Sequence, residues 1–193
     1  MGRAKFFKKI AFFMHLRVII ITGTPGTGKS SLARALVSRL GWAKIDVGVL
    51  IRQAGLRESW DSVRKCWIID ERALVRNLTA AIKAARARGQ AGLIIASHLA
   101  HALSPRLVDL CIVTRCELGV LAKRLRARRW PDRKIEENLQ AEIFEVCADE
   151  ARRAGHNVLE LDTSAGIKAA LKALYRERAF KRLLVRARLL LAL

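Results

Sequence analysis

Short apolar runs alternate along the chain with longer amphipathic stretches. Arg17–Thr22 (RVIIIT), residues 43–47, Gly92–Ala96 (GLIIA), residues 107–114 and residues 157–161 read as five strands, apolar on both faces as buried parallel strands are. Between them the period changes. A helix follows the first strand through Leu40, and a short one is predicted near residues 49–54. Asp70 reads as an N-cap, and behind it Leu74, Leu78 and Ile82 recur at i, i+4, i+8 up to Gly89. Helices over about 117–128 and 132–154 flank a basic, proline-containing turn. In the second, Ile135, Leu139, Ile143 and Cys147 form one stripe. A last helix runs from about Ser164 into the tail. The rest of residues 48–69 is mixed and polar. Strand and helix in alternation predict an α/β fold, a five-stranded parallel sheet with flanking helices. No repeat or low-complexity linker interrupts it.

Composition changes this picture in one respect. The 193 residues are 52% hydrophobic, enough for one core, yet the net charge is +20. Residues 1–17 carry five basic groups and no acid, and residues 176–193 carry six against Glu177. The organisation expected is a basic extension over 1–17, a domain over 18–175 and a basic C-terminal helix over 176–193. A polyanionic partner follows, either nucleic acid or phosphorylated ligands. The start loosely resembles a signal peptide, but Lys8 and Lys9 break its apolar run and no small-residue cleavage site follows. It reads as a cytoplasmic extension, with Met14 as an alternative first residue. No apolar run reaches the length of a membrane span. Cys66, Cys111, Cys116 and Cys147 match no zinc or redox spacing and read as reduced cysteines. The tail helix is expected to pack its leucines on the core, with RNA binding next and a membrane surface last.

The chemistry is concentrated in Gly23-Thr24-Pro25-Gly26-Thr27-Gly28-Lys29-Ser30, a GxxxxGK[ST] run between a strand and a helix. Glycines let backbone N–H groups converge on phosphate oxygens, and the helix behind them adds its unpaired donors. Lys29 brings a mobile charge to the β- and γ-phosphates, Ser30 a hydroxyl for Mg2+, and Ser31 a cap or an α-phosphate contact. A kinase of this size needs an acceptor segment and a basic lid, for which residues 46–69 and 127–137 are placed. Arg124, Arg128 and Arg129 are candidates to neutralise a transferring phosphoryl group. His98, at a strand C-terminus, is placed to orient a water or hold the γ-phosphate. His101 and Asp109 read as structural.

These residues resemble the adenylate-kinase-like NTPases of archaea and eukaryotes that act in maturation of the small ribosomal subunit. Beyond residues 21–33, the resemblance rests on Asp46-Val47-Gly48, Ile68-Ile69-Asp70-Glu71, Ser97-His98-Leu99-Ala100-His101, Arg115-Cys116, Arg128-Arg129-Trp130 and the run EENLQAEI over residues 136–143. It covers about residues 16–165. It implies a P-loop nucleoside monophosphate kinase with a short lid and ATPase activity. It implies ATP and Mg2+ as cofactors, a monophosphate acceptor with AMP first, and cytoplasmic action in late 16S rRNA processing. It also implies a small-subunit platform ribosomal protein as partner, while the basic ends add rRNA. By position, Gly26, Gly28, Lys29, Ser30 and Ser31 match the ATP-phosphate contacts. Arg128 matches the lid arginine, and His98 the histidine of an Asp-x-His motif.

Three departures stand out. The aspartate of that motif, which in the family holds Mg2+, usually through water, is Ala96 here. Asp46-Val47-Gly48-Val49 stands where the family's monophosphate-binding segment usually begins Asn-Val-Gly-Asp, and Asp46, at the end of the second strand, is a carboxylate that could partly replace the missing one. Arg129 stands where the family often has Gly. Two alternatives therefore accompany the kinase reading: an ATP-binding assembly switch with little turnover, and a small-metabolite kinase sharing the loop and lid.

Overall fold

In a computed structural model of the chain, residues 16–62 and 66–188 are described. Residues 1–15 of the basic extension expected over 1–17, with its signal-like pattern and alternative start, lie outside them, as do residues 189–193 of the expected C-terminal helix. The strands β1 (Arg17–Thr22), β2 (Ala43–Ile45), β5 (Gly92–Ala96), β6 (Leu110–Arg115) and β7 (Val158–Asp162) form one parallel sheet in the order β2-β5-β1-β6-β7. This is the predicted five-stranded α/β sheet. Helices α1 (Lys29–Leu40), α7 (Ile167–Leu174) and α8 (Arg178–Arg188) pack on one face. On the other lie α2 (Val47–Gln53), α3 (Glu71–Ala87) and α6 (Val146–Arg153).

The continuous apolar strands explain the two layers. In β1, Val18 and Ile20 join Leu74, Leu78 and Ile82 of α3, while Ile19 and Ile21 join Leu32 and Leu36 of α1. Burying each such side chain contributes about 1.5–3 kcal/mol. Phe180 and Leu183 of α8 are buried with α1 and α7, so that helix packs on the core. A third, smaller cluster joins Leu121 and Leu125 of α4 (Leu118–Ala127) to Ile135 of α5 (Asp132–Ile143), with Trp130 between. Among the described residues no helix is long and apolar enough to cross a membrane. Cys111 and Cys116 are buried and Cys147 half-buried, all three as free thiols.

The structure corrects the sequence reading in five places, one of them the last helix, which divides into α7 and α8 instead of running unbroken from about Ser164. β2 ends at Ile45, because the Asp46 side chain accepts the Val49 N–H and caps α2. Residues Arg57–Asp61 (β3) and Cys66–Ile69 (β4) form an antiparallel hairpin that the polar pattern did not suggest. Strand β6 starts three residues late, since Pro105–Leu107 forms a 3-10 turn. The helix expected over 132–154 breaks: Glu145 adopts φ 53 between α5 and α6, and Ile143 of the supposed apolar stripe is exposed.

The break has a tertiary cause. Arg115, at the end of β6, pairs with Glu142 at 3.1 Å, Glu145 at 2.9 Å and Glu160 at 2.8 Å. Glu142 is buried and also accepts the Cys116 N–H at 2.9 Å. A left-handed non-glycine residue costs about 1–2 kcal/mol, which the ion pairs on both sides of the bend offset. At the opposite end of the sheet, Asp109 accepts from the Arg17 guanidinium and the Val18 N–H, both at 2.8 Å, as a structural residue should.

Candidate active site

The phosphate loop leaves β1 at Thr22 and enters α1 at Lys29, and its shape is fixed from beneath. Thr22, Thr24, Thr27, Thr114 and Thr163 are all buried there. The Thr27 and Thr114 hydroxyls lie 2.6 Å apart, and the Thr163 hydroxyl reaches the Thr27 carbonyl at 2.6 Å. Gly26 and Gly28 take φ 98 and 96, values that glycine adopts without a steric penalty. A Cβ on Gly26 would also meet Leu121 at 2.7 Å.

Lys29 folds back over the loop and donates to the carbonyls of Gly23 at 2.5 Å and Thr24 at 2.9 Å. Burial pushes its ammonium down to about 8. Arg128 adds to the push, while Cys147 and Glu142 oppose it. An arriving polyphosphate would replace two carbonyl dipoles with full negative charge, so the lysine is poised rather than committed.

A cleft of 410 Å3 lies over the loop. Its wall contains seven of the residues that the sequence points to: Gly26, Gly28, Lys29, Ser30, Ser31, His98 and Arg128. Thus the C-terminal end of β5, the loop and the end of α4 converge on one space, as ligand groups in parallel sheets do. Partial desolvation, then the Lys29 charge and His101, bring the His98 pKa down to about 4, so its ring is neutral at pH 7. A neutral imidazole can hold a water or a phosphate oxygen without adding charge.

The arginine cluster divides. Arg128 lines the cleft, its guanidinium 5.9 Å from the Trp130 ring centre. Arg124 instead donates to the Thr163 carbonyl at 2.8 Å and to Cys116 Sγ at 3.2 Å, which ties α4 to the loop after β7. It lines a second cavity, also of 410 Å3, with Ala127 and Ile167 on the other flank of Gly26 and Gly28. Arg129 lines neither, and it adopts φ 55. Glycine would fit that left-handed position at the end of α4 without strain.

Three further cleft residues had no individual role: Trp130 and Lys134, within the expected lid, and Asn138 just beyond it. Lys134 Nζ stands 4.4 Å from the Trp130 ring centre, and Asn138 donates to the Lys134 carbonyl at 2.6 Å. Their i, i+4, i+8 spacing was visible. Which side of α5 faces the loop was not, because that depends on Ile135 packing against α4.

Comparison with known proteins follows this geometry. Residues 19–145 match the model of a family described as an AAA domain. Over 136 residues the chain is 35% identical to an adenylate kinase isoenzyme 6 homologue of Dictyostelium discoideum, covering 70% of this chain and 74% of that one. The Saccharomyces cerevisiae homologue is 36% identical over 148 residues, 75% and 72% of the two chains. The chain belongs to the adenylate kinase isoenzyme 6 family. A relative from Archaeoglobus fulgidus, also named as an adenylate kinase, is 37% identical over 147 residues, 76% of this chain and 73% of its own. Membership makes the protein an enzyme, a P-loop nucleotide kinase with a nucleotide substrate.

Proposed function

We propose that the protein transfers the γ-phosphoryl group of ATP to a nucleoside monophosphate, AMP first, and hydrolyses ATP slowly when water takes the acceptor's place. The observation that carries this reading is the single cleft in which the phosphate loop, Arg128 and His98 meet. Backbone N–H groups of Gly26 and Gly28 and the side chains of Lys29, Ser30 and Ser31 hold the polyphosphate. The second cavity, with Ala127 and Ile167 in its wall, suits the donor base. Residues 127–137 act as the lid, carrying Arg128 onto the charge that develops in the transition state. Residues 46–69 receive the monophosphate. His98 orients the attacking water or the γ-phosphate.

The donor set fits Mg2+: Ser30 is exposed at the first turn of α1 and shares a small cavity with the Asp46 carboxylate and with Lys44. Ser30 would hold the ion, which would draw charge from the β- and γ-phosphate oxygens. The chain's own residues do the remainder by positioning the reactants and excluding water.

Ala96 favours a second reading, an ATP-binding switch with weak turnover. The γ-phosphate would then bias closure of the lid and release of a partner. In both readings the protein works in the cytoplasm, in late 16S rRNA maturation, with a platform ribosomal protein and with rRNA held through its basic ends. The +20 charge supports the RNA contact. ATP turnover at varied Mg2+, with AMP and other monophosphates, tests these readings in the native chain and in Ala96→Asp. Robust AMP phosphorylation by the native chain supports the kinase. Tight ATP binding with turnover only in the variant supports the switch. Phosphorylation of an unrelated metabolite alone refutes both.

A further inference from the structure

A phosphate loop of this kind holds its metal through the loop hydroxyl and a carboxylate at the C-terminal end of a neighbouring strand. Beside β1, β5 ends in Ala96, which has no oxygen to offer. The next strand out is β2. Ile45, the last residue of β2, pairs with Ile95 of β5, so Asp46 and Ala96 are the next residues along the two neighbouring chains. Adjacent strands lie about 4.8 Å apart. Ser30, Asp46 and Ala96 line one small cavity of 160 Å3, and Lys44 lines it with them.

We propose that Asp46, from the end of β2, supplies the carboxylate for the nucleotide's Mg2+ that β5 lacks. The proposal rests on the ATP-binding reading above and adds the residue that would complete it. The geometry suits the task. Oδ1 of Asp46 accepts the Val49 N–H at 3.0 Å, which fixes the side chain. Its other oxygen has no protein partner among the described residues. One carboxylate, one hydroxyl and substrate phosphates are the donor set that Mg2+ prefers, with waters filling the rest of its shell. No group of three or more acidic, histidine or cysteine side chains among the described residues offers an alternative cage. The carboxylate has in effect moved one strand sideways.

Asp46→Asn separates metal binding from capping, because Asn is as good an N-cap as Asp but carries no charge. The probe is Mn2+ with ADP, read by electron paramagnetic resonance as free against bound Mn2+. ADP affinity in EDTA and the melting temperature are measured in parallel. The expected result is a loss of Mn2+ affinity of about tenfold or more in the ADP complex. ADP affinity in EDTA and melting should stay unchanged. Adding Ala96→Asp to Asp46→Asn should restore Mn2+ affinity. Native Mn2+ affinity in folded, ADP-binding Asp46→Asn overturns the proposal and leaves the kinase reading standing. Absence of ADP binding by the native chain overturns both.

Discussion

Two parts of the candidate site are held in different ways. The phosphate loop rests on a buried floor of threonine hydroxyls, with Thr27 held by Thr114 of β6 and by Thr163 just after β7. The β3–β4 hairpin, in the segment proposed to receive the monophosphate, pairs only with itself. Its Trp60 and Trp67 are 51% and 43% exposed, and its link to the core is Leu56 and Ile69 at the base. A loop so supported is ready for phosphate before it arrives, which is what electrostatic catalysis needs. A hairpin so exposed can move at little cost to the core, as parts that close over a substrate must.

Removing the loop's charge should have the largest effect. Lys29→Met should lower phosphoryl transfer by at least about 10²–10³-fold, the usual loss for one preorganised charge donor. The hairpin should be unaffected, so circular dichroism and tryptophan fluorescence should match the native chain. Unchanged ATP turnover in this variant would refute the loop assignment.

The arginine turn lies between these extremes, because Arg115 and Glu142 anchor the helix behind it to β6. Arg115→Ala would leave Glu142 buried with only the Cys116 N–H. Breaking one side of a buried pair costs about 3 kcal/mol or more, and for a chain of this size that is about 6–12 °C in melting temperature. A shift below about 2 °C would place this turn with the hairpin rather than with the loop.

How much of this was legible follows from how local each signal was. The phosphate loop is written in eight consecutive residues, and the strands in β-branched runs, so both could be read directly. Asp70 capping α3 and Gly89 ending it were equally local. The hairpin was hidden because neither face is buried, so RESWD shows no apolar alternation. The break at Glu145 was hidden because no Gly or Pro marks it and the i+4 stripe runs through it. Arg115, thirty residues upstream, decides it. Asp46 as a replacement carboxylate was legible at the end of the second strand, but that it shares a cavity with Ser30 depends on how β2 lies beside β5, which no single segment carries.

The loop also has a pH signature that the hairpin should lack. Lys29 is held down to about 8 in the empty protein, and bound phosphates must raise it again. Affinity for ADP in EDTA should therefore be flat between about pH 7 and 8, above the range in which the terminal phosphate itself ionises. Above it, affinity should fall by up to tenfold per unit, with proton uptake on binding, measured by calorimetry in buffers of different ionisation heat. Folding has the opposite sign. The unfolded lysine titrates near 10.5, so between about pH 8 and 10.5 the unfolded chain holds more protons and the empty fold gains stability as pH rises. Native and Lys29→Met proteins with the same pH dependence would show that Lys29 does not meet the phosphates.

The smallest effect should come from the hairpin. Trp60 and Trp67 face each other across β3 and β4 with ring centres 5.4 Å apart, edge to face, and the Arg57 guanidinium stands 4.9 Å from the Trp67 ring centre. A cross-strand aromatic pair is worth about 0.5–1 kcal/mol. Because both rings are largely exposed, that energy belongs to the hairpin and not to the core. Trp67→Ala should lower the melting temperature by less than about 2 °C. Amide exchange should quicken within residues 57–69 and nowhere in the phosphate loop. If residues 46–69 receive the monophosphate, KM for AMP should rise while ATP affinity stays constant. A fall in melting temperature as large as that of Arg115→Ala would mean that the hairpin shares the core's cooperativity, and the contrast between a fixed loop and a movable arm would be lost.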